Sequence, residues 1–173
     1  ESNNIPEKKN NFKKIFSPQT AYQMTSILAG VIQRGTEKRL RDLNLQIAGK
    51  TGTTNNNTDT WFIGFTSNLV VGVFVGYDSP KKLGKYETGS KTALPIFKDF
   101  IKKAVNNYDA RPFKISKGIK MMVIDAETGE KADFGSKKTI IEAYKKEKFQ
   151  NQTFISKDKY KSDIYKKNIL KFY

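Results

Sequence analysis

Apolar residues recur at Ala21, Met24, Ile27, Leu28 and Val31, the spacing of one helix face. Ser17-Pro18 stands just ahead of that stripe, with a hydroxyl for the cap and a proline for the first helical position. Gly35 predicts the helix end. Arg39 to Asn44 reads as a short polar connection. The pattern then changes period. Leu45 to Thr53 predicts a strand, Asn55 to Asp59 a loop, and Trp61 to Thr66 a second strand. A tight turn at Ser67-Asn68 leads into Leu69 to Tyr77. That run is β-branched and nearly continuous in apolar residues, which predicts a central strand covered on both faces.

Asp78 to Gly89 is rich in turn formers. A second helix follows, with Thr92 as its cap, Pro95 in its first turn, and Ile96, Phe97, Phe100, Ile101, Ala104 and Val105 as its apolar stripe. Ile119 to Ile124, the turn Asp125 to Gly129, and Glu130 to Ala132 predict a small hairpin. The last thirty or so residues carry scattered aromatics among lysines and no readable period. Helix, three-strand meander, helix and β appendix make an α+β chain with an antiparallel sheet.

Composition narrows the chemistry. The 173 residues suffice for about one domain. Histidine and cysteine are both absent, which excludes Ser-His-Asp triads, Cys-His dyads and His- or thiolate-bound zinc within the chain. A general base must therefore be Lys, Asp, Glu or Tyr. No cofactor or metal site is expected. The net charge is +15, with eleven lysines against four acidic residues in 137–173. A solvated basic tail accounts for that, or contact with an anionic membrane or wall polymer. Only Arg34, Arg39, Arg41 and Arg111 are arginine, so specific base readout has little to work with and no nucleic acid is expected as a partner. The longest apolar stretch, Leu69 to Val75, is far short of the roughly 20 residues that span a bilayer.

The most informative stretch is Ile47-Ala48-Gly49-Lys50-Thr51-Gly52-Thr53-Thr54. Gly49-Lys50-Thr51 matches the end of a phosphate-binding loop, but that motif needs glycine where Asn44 stands and a helix after the threonine. A Lys-Thr-Gly on a strand is instead one of the three signatures of enzymes that acylate a serine with penicillin or a D-alanyl peptide. Lys50, Thr51 and Thr53 offer a cation and hydroxyl donors for a terminal carboxylate. Gly52 lets a substrate backbone lie close. A free strand edge accepts the peptide as an added strand, and an N–H on that edge can aim at an oxyanion.

Several further runs fall in a familiar order. Trp61-Phe62-Ile63-Gly64-Phe65-Thr66 and Leu69 to Asp78 follow the lysine strand. Pro18 to Met24 and Val31 to Thr36 precede it. Glu87-Thr88-Gly89, Ala93 to Lys98, Gly118-Ile119-Lys120, Asp125 to Gly129 and Ile140 to Tyr144 come after. From about residue 17 to about 145 the chain resembles the C-terminal part of the transpeptidase domain of class A (bifunctional) penicillin-binding proteins of the 1A type. The resemblance implies a partial penicillin-binding/serine-transpeptidase fold, an antiparallel sheet flanked by helices, plus a small C-terminal β extension. With composition at the two ends, it divides the chain into a polar leader (1–16), the C-terminal half of the transpeptidase domain (17–108), a β-hairpin extension (109–148) and a Lys-rich tail on which no structure is forced (149–173). It implies a peptidoglycan D,D-transpeptidase acting on D-Ala-D-Ala stem peptides and trapped by β-lactams. Lys50 and Thr53 would be the catalytic groups, with the N–H of Thr53 as one oxyanion donor. Thr51, Gly52, Thr53 and Thr54 would bind substrate. The site would lie in the bacterial periplasm, at the outer face of the cytoplasmic membrane, anchored by a segment not in this chain.

The match also has gaps. The family's Ser-x-x-Lys nucleophile precedes the lysine strand and opens a helix, and residues 1–49 contain no such quartet. Ser79-Pro80-Lys81-Lys82 and Ser156-Lys157-Asp158-Lys159 fit only by spacing, and Ser2-Asn3-Asn4 fits the Ser-x-Asn signature only formally. The first residue, Glu1, reads as the start of a piece. The expectation is a chain that is inactive alone and partnered by the N-terminal half of its own domain. The alternative is a non-catalytic split-gene product that binds wall polymer or a partner.

Overall fold

The computed structural model describes residues 13–105 and 111–146. The expectations for most of the polar leader and for the tail beyond 146 lie outside the described residues.

Helix α1 spans Pro18–Gln33. The Ser17 hydroxyl accepts from the Thr20 N–H at 3.2 Å, which satisfies one of the orphan donors of the first turn. At the far end the Gly35 N–H returns to the carbonyls of Gly30 and Val31. A Cβ on Gly35 would come within 2.7 Å of the Val31 carbonyl oxygen, so glycine is needed for this exit. The supposed polar connection after it is a 3₁₀ turn over Lys38–Leu43. Leu40 carries it, buried completely among core residues while its charged neighbours face water.

Strands β1 (Ala48–Thr53), β2 (Thr60–Phe65) and β3 (Val70–Val75) form an antiparallel meander in the order β1-β2-β3. The first strand starts three residues later than the apolar pattern predicts, because Asn44, in the left-handed region at φ 55°, first turns the chain out of the 3₁₀ turn. The expectation of a central third strand is not met among the described residues. β2 is the middle strand, and β3 has an edge without a strand partner.

Helix α2, Ala93–Ala104, closes one face of the sheet. Phe97 stands edge-on to Phe62, with centroids 4.6 Å apart and planes at 66°. A Cβ at Gly64 would lie 2.7 Å from the Phe97 ring, so glycine lets helix and strand approach. Ile32, Leu40, Ile47, Leu94 and Ile101 complete this core, with Val71, Val73 and Val75 beside it. The stripe read for α2 is half right: Phe97 and Ile101 are buried, but Ile96 and Phe100 face solvent. The buried line also includes Leu94, one turn before Phe97.

The appendix is a two-stranded antiparallel ribbon, β4 (Ile119–Asp125) with β5 (Thr139–Lys145). The expected partner segment, Glu130 to Ala132, makes only an isolated bridge between Lys131 and Ile124. Asp125 caps its own turn, accepting from the N–H groups of Glu127 and Thr128, so the chain turns where predicted but pairs later. The ribbon is bound to α1. Arg34 pairs with Glu142 at 2.7 Å, Gln23 donates to the Ala143 carbonyl at 2.9 Å, and Gln19 donates to the Lys117 carbonyl at 2.8 Å.

Candidate functional site

The lysine strand lies on a sheet edge. The Thr54 N–H donates to the Asp59 carbonyl at 3.0 Å, continuing the β1–β2 ladder. Antiparallel alternation then turns the N–H and carbonyl groups of Gly49, Thr51 and Thr53 outward, to the edge of β1 that carries no strand among the described residues. The side chains follow the same alternation. Lys50 and Gly52 share the outer face with Ile63 and Trp61, and Thr51 and Thr53 share the α2 face with Phe62 and Thr60.

Lys50 is exposed. Its Nζ reaches around the edge and donates to the Thr51 carbonyl and to Thr51 Oγ1, each at 3.1 Å. Thr51 Oγ1 in turn donates to Glu37 Oε1 at 3.2 Å. Its one proton is committed there, so it faces Lys50 with lone pairs only. Thr53 differs: its Oγ1 accepts from the Gly89 N–H at 3.1 Å, which leaves its own proton to donate. Gly89 is in contact with this strand. A Cβ there would lie 3.0 Å from the Gly52 carbonyl oxygen and from Thr51 Cβ, so glycine allows the 88–92 turn to lie on β1. A second tie joins the same turn to β2, Thr60 Oγ1 to Thr92 Oγ1 at 2.6 Å. Thr54 does not face the edge groups. Its Oγ1 closes the 54–59 loop, accepting from the Asp59 N–H at 2.9 Å.

The structure thus brings Lys50, Thr51, Gly52 and Thr53 to one open edge and sends the Thr54 side chain into the loop beyond it. Ser79 lies in an exposed loop and opens no helix. No described group of three or more acidic residues could hold a metal ion. Glu37, Thr36 and Ser90 are next to the site and carry no motif. The sole sequence cue was an acidic residue two places after a helix-ending glycine.

Comparison with known proteins identifies the family. The model of the penicillin binding protein transpeptidase domain matches residues 4–102. Penicillin-binding protein 1A of Rickettsia conorii is 49% identical over 124 residues, which is 72% of this chain and 15% of that protein. The protein of the same name from Pseudomonas aeruginosa is 40% identical over 136 residues, 78% of this chain and 16% of that one. The crystal structure of penicillin-binding protein 1A from Haemophilus influenzae superposes with a TM-score of 0.68 at 29% identity, covering 81% of this chain and 22% of that one. The chain spans about one sixth of the length of these curated relatives. A domain match over more than half its residues, on the lysine strand and the helices that frame it, makes this chain a member of the penicillin-binding protein transpeptidase family.

Proposed function

We propose that this chain supplies the lysine-strand wall of a peptidoglycan D,D-transpeptidase that works by serine acyl transfer. The observation that carries this reading is the open β1 edge, which presents the Lys50 ammonium and the outward Thr53 N–H, with the hydroxyl proton of Thr53 left to donate. A stem peptide ending in D-Ala-D-Ala adds to that edge as an extended strand. Thr53 Oγ1 donates to its terminal carboxylate, and Lys50 supplies the positive field. Thr51 orients the lysine and contributes its carbonyl to the edge.

The nucleophile is a serine of a Ser-x-x-Lys segment from the preceding part of the domain. Its hydroxyl adds to the penultimate carbonyl while its proton passes to the lysine of its own motif. The Thr53 N–H and the serine N–H hold the oxyanion. Collapse expels D-alanine, whose nitrogen takes up the proton. An amine of a neighbouring stem then displaces the serine ester. A β-lactam follows the first step only, because its opened ring stays attached. The outer face of the sheet supports the same reading. Trp61, Ile63, Val70 and Phe74 are exposed there beside the β3 edge, which has no strand partner among the described residues and where the preceding part of the domain would dock. In this reading the reaction runs at the outer face of the cytoplasmic membrane. No described helix is long and apolar enough to cross a membrane.

Source cells treated with a labelled penicillin, followed by capture with an antibody to this chain and a denaturing gel, test the reading. A labelled band much larger than the chain is expected, with no label on the isolated 173-residue chain. An unlabelled band of the chain's own size would replace catalysis with binding of wall polymer or a partner. Covalent label on the isolated chain would place the nucleophile within it.

A further inference from the structure

The least expected group near the lysine strand is a carboxylate. Glu37 is completely buried, at the start of the 3₁₀ turn. Its Oε1 accepts from three hydroxyls: Ser90 Oγ at 2.8 Å, Thr36 Oγ1 at 2.9 Å and Thr51 Oγ1 at 3.2 Å. Its Oε2 is buried with no hydrogen-bond partner among the described residues. Neither described ion pair includes it. Burying a carboxylate without a paired cation is costly, so hydroxyl donors gathered from three separate segments are what hold it there.

Those segments are the α1 exit, strand β1 and the turn that leads into α2. Only one of the three hydroxyls continues toward the edge. Lys50 Nζ donates to Thr51 Oγ1, and Thr51 Oγ1 donates to Glu37 Oε1. A carboxylate oxygen accepts, so the direction of every proton along this line follows. Without Glu37 the Thr51 hydroxyl is free to rotate, and it can turn its proton toward Lys50 instead of its lone pairs.

We propose that Glu37 is a positioning residue for Lys50. It fixes the Thr51 hydroxyl as an acceptor and so holds the lysine ammonium against the β1 edge. The proposal builds on the transpeptidase reading for its catalytic consequence, while the positioning itself is measurable without it.

The test uses the intact protein that contains this chain and reads two quantities. The first is the rate at which an amine-acylating reagent modifies Lys50, by mass spectrometry, relative to exposed Lys114 in the segment before β4. Release of the ammonium in Glu37→Ala raises the Lys50/Lys114 ratio severalfold. Glu37→Gln, whose amide oxygen still accepts from the hydroxyls, restores most of the difference. Thr51→Val keeps Glu37, removes the hydroxyl that stands between it and Lys50, and raises the ratio as Glu37→Ala does, so the line of hydrogen bonds is tested even where Glu37→Ala folds poorly. A purely structural role lowers thermal stability and leaves the ratio of the folded protein unchanged, and an unchanged ratio in Glu37→Ala or in Thr51→Val overturns the proposal. The second quantity is the second-order rate of acylation by labelled penicillin, expected to fall about tenfold in Glu37→Ala with the loss of one charge-assisted hydrogen bond. Absence of any label on the wild-type protein would remove the transpeptidase reading and leave the lysine ratio to decide the positioning.

Discussion

The two faces of the three-stranded sheet are built to different ends. On the α2 face Phe62, Ile47 and the inward valines of β3 are closed over by Leu94, Phe97 and Ile101. On the outer face Trp61 and Phe74 stack on each other, centroids 4.9 Å apart, yet remain 43% and 50% exposed, with Ile63 and Val70 more open still. The residue types are the same on both faces, aromatic and β-branched. A strand that alternates between apolar and polar is half-buried, but one that is apolar at both parities, as here, is built to be covered twice. The described residues cover it once. The difference separates the face that the described residues close from the face that they leave open.

The strongest way to sharpen the contrast is to open the closed face. Phe97→Ala removes the ring that fills the space left by Gly64 and packs against Phe62. Little nearby can collapse into the cavity, since the strand beneath it has no side chain at Gly64. A loss of about 3–5 kcal/mol is expected, read from chemical denaturation. A loss under about 1 kcal/mol would mean that the α2 layer is not the core.

The outer face should answer differently. In the isolated chain Ile63→Lys changes unfolding free energy by no more than about 0.5 kcal/mol, because an exposed site leaves no cavity behind. It should nonetheless change association. The exposed apolar face lies beside an edge of β3 that no described strand covers, and such surfaces pair with copies of themselves. Sedimentation of the wild-type chain is expected to show self-association that the lysine variant weakens. A monodisperse wild-type monomer would contradict an outer face awaiting cover.

Much of this architecture was legible along the chain, and the misses have identifiable causes. The cap at Ser17-Pro18, the stop at Gly35 and the Ser67-Asn68 turn are local chemistry, and local chemistry reads directly. The lysine strand could be placed on a sheet from its composition, and the edge it occupies was expected. The 3₁₀ turn was missed because a single buried Leu40 among charged residues leaves no period. Two apolar lines run along α2, and sequence does not say which one meets the sheet when both lack polar residues. β5 was misplaced because the strong turn at Asp125 to Gly129 pointed to the nearest partner, whereas the pairing skips to Thr139. The role of Glu37 has almost no signal in the sequence. Its meaning comes from hydroxyls at positions 36, 51 and 90, which meet only after the strand and both turns are in place.

The smallest effect concerns the rim of the closed face. Lys98 of α2 donates to Asp42 of the 3₁₀ turn at 2.6 Å, tying the two segments that bury Leu40 and Leu94. That hydrogen bond, with the charges of Lys98 and Lys102, holds the Asp42 carboxyl below its ordinary value. A carboxyl depressed in the folded state binds its proton more readily when unfolded, so stability from the pair is complete at neutral pH. It declines as the pH drops through the ordinary aspartate range and is gone below the folded value. Exposure of the pair keeps the contribution small, and salt screens it further. The measurement is the difference in melting temperature between wild type and Asp42→Asn, followed from neutral pH into acid. Other carboxylates titrate in both proteins and cancel in the difference. Wild type is expected to be slightly the more stable at neutral pH, with the gap closing in acid and shrinking in high salt. A gap that widened in acid would reverse the sign of the linkage, and the pair would then strain the rim of the closed face rather than fasten it.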